Sequence, residues 1–289
     1  MATSIIERAM NMKGKNRKTI IISLFLSVLS LLIPGGMAIA ATWQTIEDDS
    51  WCDDGWNKGR KTACEVRKMD IETGWNSIDV DASPNGGITI EGWGEKRIHI
   101  EAKLQAKAGS IEEAREILSD IDIEAKNKTI KAIGPKFFTS GKSWTASYRI
   151  MVPENMDLEL EALNGGISIE NVHGQIDTTT LNGGIKLEKV SGNVDAHTTN
   201  GGITAKLNGD RWSGKGLDLQ TTNGGIKLSI PENYSAELEA GTVNGNMKID
   251  FPVKVQGWIK KSIKTTLGEG GAAIKARTTN GGVSITKDR

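Results

Sequence analysis

Five acidic side chains recur at one place in this sequence: Glu159, Asp177, Asp195, Asp218 and Glu239 each stand five residues before an asparagine. Carboxylates repeated at a fixed position can do three kinds of chemistry. Their hard oxygens can bridge Ca²⁺, their summed charge can hold a cationic partner such as a peptide, and an acid beside a Lys or Arg can serve a polysaccharide lyase or hydrolase. A solvated face is the plain alternative: at about 4.8 Å per step, like charges repel by only about 0.9 kcal/mol per pair in bulk water. Two positions on stand Glu161, Thr179, His197, Gln220 and Arg277, a polar strip that could continue a ligand track. Lys186, Thr204, Lys227 and Lys248 fall on the outer side of the following strand in each unit.

The elements that position these residues follow from the asparagines. Asn-Gly opens a unit at Asn85 and again at Asn164, Asn182, Asn200, Asn223, Asn244 and Asn280, which from Asn164 onward are spaced by 18, 18, 23, 21 and 36 residues, the last being two periods of 18. Aligned on that Asn, Leu158, Ile176, Val194, Leu217, Leu238 and Ile274 share one column, and Ile167, Ile185, Ile203, Ile226, Met247 and Val283 share another. Apolar and polar positions alternate, as in strands with one buried face. Two before the Asn stand Thr180, Thr198, Thr221, Thr242 and Thr278. Identical polar side chains gain most when they sit one rung apart along a stack, which favours a coil over an antiparallel meander. The asparagines are then the corners of a β-solenoid, and their glycines are expected to supply positive φ. The segment from Phe251 to Asn280 spans two periods and reads as two turns, the first without its corner. The last coil ends at the C-terminus, so an open edge there could pair with a partner or a second copy.

Other chemistry is thinly represented. His99, His173 and His197 fall in different columns, with no zinc spacing among them. The glycines precede no helix and no GK[ST], so they are not a phosphate loop. The loops near Arg211-Trp212 and Trp258 are the places where a catalytic cleft could be built.

Residues 1–40 read as a secretory signal: a basic cluster at Lys13, Lys15, Arg17 and Lys18, an apolar run from Ile20 to Ile33, then small residues before a cut after Ala40. The chain has 36 Lys and Arg and 36 Asp and Glu. Losing that basic segment leaves a mildly acidic surface, unsuited to binding nucleic acid. No later stretch resembles a membrane span. In an exported chain Cys52 and Cys64 most simply form one disulfide. Residues 41–75 are expected to form an N-terminal cap closed by that bond, and 76–155 irregular first coils with a short helix near 110–119. The regular solenoid is expected over 156–289. Ser110 three before Glu113 is the capping box that opens the helix.

The Cys pair in WCDDGWNKGRKTACEVR, together with DASPNGGITIEGW, YRIMVPENMDLELEALNGGI and GDRWSGKGLDLQTTNGGIKLSIPENYSAELEAGTVNG, resembles an exported bacterial β-strand-repeat family of unknown function. That family carries the label "putative adhesin". The resemblance covers nearly all of 50–289 and implies a β-solenoid outside the cytoplasm, with no catalytic residues to carry over. Relatives in Gram-positive bacteria, tied to envelope stress, have a different N-terminal segment.

The expectation is therefore an all-β, single-stranded β-solenoid or β-helix of about 18-residue coils, with one short helix and a disulfide-closed N-terminal cap. Its expected role is a non-enzymatic interaction module, periplasmic or at the cell surface. It would bind an envelope component or a protein through its polar faces, without a cofactor unless the acidic column takes Ca²⁺. A polysaccharide-active enzyme using Asp177, Asp195 or Asp218 is the alternative, and a self-assembling spacer is another.

Overall fold

The computed structural model describes residues 42–46, 50–53, 61–72, 74–137, 141–251 and 261–288. The expected signal segment 1–40 and Trp258 lie outside the described residues.

Two sheets face each other, and each coil gives one strand to each. On one side Asp157–Asn164, His173–Asn182, Ser191–Asn200 and Gly216–Asn223 run parallel. On the other, Ile167–Glu170, Ile185–Glu188, Ile203–Lys206 and Ile226–Pro231 do the same. The register is the one the columns require: Leu158, Ile176, Val194 and Leu217 stack in line, as do Ile167, Ile185, Ile203 and Ile226. All eight are buried between the sheets, each contributing about 1.5–3 kcal/mol of apolar burial. The chain is thus an all-β solenoid, not a meander.

The Thr-x-Asn-Gly-Gly corner is satisfied atom by atom. The Asn side chains form one ladder through Asn85, Asn164, Asn182, Asn200, Asn223, Asn280 and Asn244, each amide from Asn164 on donating to the carbonyl oxygen of the one before it at 2.8–3.1 Å. The hydroxyls of Thr180, Thr198, Thr221, Thr278 and Thr242 donate at 2.7–2.8 Å to the first corner glycine's carbonyl on the neighbouring coil. These threonines are buried, so that bond is what makes their hydroxyls tolerable.

The glycines do a different job from the one expected. Gly165, Gly183 and Gly201 are not in the positive-φ region. A Cβ on Gly183 would stand 1.9 Å from the Gly165 carbonyl oxygen, so glycine is needed because the neighbouring coil's backbone passes there. Positive φ is used at the opposite corner instead, by Asn171 (58°) and Lys189 (52°).

At the N-terminal end, the coil of Ser77–Asp81 and Ile88–Trp93 stacks directly on the one that begins at Asp157. The sequence between them makes a long excursion. Thr62–Ile71, Ile98–Lys107 and Ser143–Pro153 form an antiparallel layer, and the last of these runs parallel to Ile88–Trp93. The helix Ile111–Ser119 covers that layer through Ala114, Ile117 and Leu118. Ser110 Oγ accepts from the Glu113 amide at 3.1 Å, and Glu113 accepts from the Gly109 amide at 2.8 Å. At its other end Arg67 donates to the carbonyls of Leu118 and Ile121 at 3.0 and 2.6 Å. Cys52 and Cys64 are joined by a disulfide with a Cα–Cα distance of 5.9 Å, tying a short 3₁₀ turn to the strand Thr62–Ile71.

The C-terminal end departs from the order of the sequence. The last coil, Ala273–Asn280 and Val283–Asp288, sits between the coil ending at Pro231 and the coil of Ala236–Asn244 and Met247–Ile249. The two turns expected between Phe251 and Asn280 are therefore one coil and a reversal. Ser262–Leu267 runs antiparallel along Ala236–Asn244, and the chain doubles back through Gly268, Gly270 and Gly271, all at positive φ. The final coil is an interior rung, not the open edge expected of it. The outermost coil is the one that carries Asn244, and one of its two strands is covered by Ser262–Leu267. Charge favours this order. Sequence order would set Asp218 beside Glu239, whereas the inserted coil places Lys275 between them.

Candidate functional site

Each sheet carries outward ladders of charged and polar side chains. On the ten-stranded sheet the acidic column is contiguous over Asp79, Glu159, Asp177, Asp195 and Asp218, one rung apart. Asp79 was not among the expected members, because its coil is separated from the next by the excursion. Glu239 is in the column but not beside Asp218: Lys275 intervenes. Arg277 closes that end, with its guanidinium 2.5 Å from Asp218 and 3.7 Å from Glu239.

In the middle of the column repulsion is only partly relieved. Gln175 donates to Asp177 at 3.0 Å and Gln220 to Asp218 at 3.3 Å. Asp195 is pushed above the usual carboxylate range, first by burial and then by Asp177 and Asp218, with Lys275 opposing. The polar strip beside it runs Glu161, Thr179, His197, Gln220 and Arg277 in register, as its spacing predicts. Among the described residues, no three His, Cys, Asp or Glu side chains are grouped so as to hold a metal ion. The side chains project in a line rather than converging on one point.

On the eleven-stranded sheet the outward ladder is Arg149, Thr89, Ser168, Lys186, Thr204, Lys227, Ser284 and Lys248, each paired with the next across the sheet. From Arg149 to Lys248 it contains no acid, and beyond Arg149 the same column continues with Glu101 and Lys68, which pair at 2.7 Å. Beside it the second corner glycines, Gly87, Gly166, Gly184 and Gly202, leave a bare backbone shoulder. The ladder from Arg149 to Thr204 and this shoulder line a shallow groove of about 660 Å³, and Lys227, Ser284 and Lys248 continue the column past it. Trp51 forms its end wall, with the Arg149 guanidinium 3.8 Å from the ring centroid and the Lys103 ammonium 5.1 Å away. The next column outward holds Glu91, Glu170 and Glu188, of which Glu188 pairs with Lys186 and Glu170 with Lys189, both at 3.1 Å. The repeat shows Lys186, Thr204, Lys227 and Lys248 as outward positions. It does not show that Arg149 and Trp51, from the N-terminal excursion, complete the groove.

The loop at Arg211-Trp212 borders a cleft of about 390 Å³ that His173, Ser191 and Tyr234 also line, with the Trp212 ring buried and its indole donating to the Gly192 carbonyl at 3.0 Å. His99 meets Asp70 at 2.8 Å and His173 meets Ser191 at 2.7 Å, each in its own surroundings. No helix of the described residues is long and apolar enough to cross a membrane.

Residues 154–286 match the family model described as Toastrack DUF4097. Among solved structures, a "putative cell adhesion protein" from Clostridium sporogenes is similar at 13% identity and a TM-score of 0.44, over 78% of this chain and 100% of that one. A "putative adhesin" from Bacteroides fragilis is similar at 14% identity and 0.39, over 77% and 97%. Another, from Parabacteroides merdae, is similar at 10% identity and 0.39, over 78% and 96%. No curated protein matches the chain significantly.

Proposed function

We propose, for a chain whose residues 154–286 match the Toastrack DUF4097 family model, the role of a non-enzymatic interaction module. It is an exported, adhesin-like solenoid that binds an extended envelope component along its outward ladders. The observation that carries this reading is the acid-free ladder from Arg149 to Lys248 beside its glycine shoulder. Such a surface offers many equivalent weak contacts along one axis, the way repeat proteins hold extended partners. The disulfide supports an oxidising compartment outside the cytoplasm. The enzyme alternative draws little support from the geometry: Asp177, Asp195 and Asp218 stand on an open strand face, and the larger clefts are lined by other residues. The acidic ladder is the second face available for binding, suited to a cationic segment.

The test immobilises the full chain and passes solubilised envelope over it. A Lys186→Glu/Lys227→Glu variant and an Asp177→Asn/Asp195→Asn variant run beside it. Material retained by the parent and lost from one variant supports the module and names its face. Cleaved fragments in the flow-through, or equal retention by all three proteins, would overturn it.

A further inference from the structure

The spacing of charge along the groove, and along the Lys227–Lys248 end of the ladder that continues past it, narrows the ligand. From Arg149 the ladder passes Thr89 and Ser168 before Lys186, then Thr204 before Lys227, then Ser284 before Lys248. With rungs about 4.8 Å apart, the cations stand about 14, 10 and 10 Å from one another. Every rung between them ends in a hydroxyl.

That is a sparse array. A nucleic acid presents a charge every few ångströms and asks for a dense basic track with aromatic rings under its bases. Here the basic ladder is bordered by Glu91, Glu170 and Glu188, which would repel a polymer charged at every step. An extended peptide gains affinity by pairing with a free strand edge and by pockets for alternate side chains. Along this axis the backbone groups are already spent on the parallel ladder, as where the Ile167 amide donates to Gly184 and the Ile185 amide to Gly202. The small side chains of Ser168 and Thr204 and the glycine shoulder form no such pockets.

What fits is a chain of hydroxyl-bearing units with an anionic group on every second or third one. We infer that the groove binds a linear acidic polysaccharide lying along the stack. Arg149, Lys186 and Lys227 pair with its anionic groups, and Thr89, Ser168 and Thr204 bond to the hydroxyls between. The inference rests on the interaction-module reading and names the ligand class of its basic face.

The experiment titrates the full chain with four probes: hyaluronan oligosaccharides, which carry a carboxylate on alternate sugars; neutral dextran; polyglutamate of matched charge; and single-stranded DNA. Hyaluronan is expected to bind, with the other three at least about tenfold weaker. The double variant Lys186→Ala/Lys227→Ala should lose about tenfold or more, the scale of charge-assisted contacts removed. An off-face control, Lys264→Ala, should bind as the parent does. Polyglutamate or DNA binding as well as hyaluronan would overturn the inference, since the face would then read charge alone. Undiminished binding by the double variant, or failure of hyaluronan to bind, would overturn it too. Should glycan binding fail while envelope material is still retained by the parent and lost from Lys186→Glu/Lys227→Glu, the module stands and only its ligand class falls.

Discussion

At the scale of single residues, the acidic column balances repulsion against exposure. Asp195 lies between two carboxylates with no cation on an adjacent rung, while Asp218 has Arg277 at 2.5 Å. A carboxyl whose folded pKa lies above its unfolded value binds more protons when folded. Asp195 therefore favours the folded state at low pH and costs stability as pH rises through its raised pKa. Asp195→Asn should accordingly raise the melting temperature at pH 7, by the equivalent of about 0.2–1 kcal/mol for like charges facing across strands. The gain should vanish near pH 3, where the native carboxyl is protonated. Thermal unfolding at the two pH values checks this, and a variant less stable at pH 7 would mean the column is held by a favourable partner. The column was legible in the sequence because identical positions repeat. Asp79 was not, because its link to Glu159 passes through an excursion of more than sixty residues.

At the scale of the element, one corner separates two roles of glycine. A Cβ on Gly183 would fall 1.9 Å from a backbone oxygen, whereas one on Gly184 would stand 3.3 Å from the Gly202 oxygen, a contact a small shift relieves. Gly183→Ala is expected to cost about 3 kcal/mol, at the upper end of overpacking penalties, and Gly184→Ala less than about 1 kcal/mol. Denaturant unfolding of both variants decides it, and equal costs would refute the close-approach account. Composition and period show that glycine is required at the corner. They cannot say whether conformation or proximity requires it, because proximity depends on what the next coil places there.

At the scale of the whole molecule, the inserted last coil makes the C-terminal end depend on the final residues of the chain. Deleting 273–289 should strip Ala236–Asn244 and Met247–Ile249 of their parallel partners while leaving the coils before Pro231 intact. Hydrogen exchange should show protection lost over 236–249 and kept over 173–206. A synthetic peptide of residues 273–289 should restore it by strand addition. Full protection of 236–249 in the truncated chain would mean that this coil docks directly on Gly216–Asn223, and that the charge argument for its displacement is wrong. The same insertion places the strands at the chain's end inside the sheets, so the edge strands at that end are Met247–Ile249 and Ser262–Leu267.

The sequence by itself determined the solenoid, its register and its ladders. In-register stacking repeats one local environment, so Thr, Asn, Gly and aliphatic columns each print their place in every unit. Tertiary structure alone decided which coil lies beside which at the two ends; at the C-terminal one the inserted coil sets Lys275 and Arg277 against Asp218 and Glu239. It also decided that Arg149 and Trp51 close the basic groove, since strand pairing across a long excursion leaves no period to read.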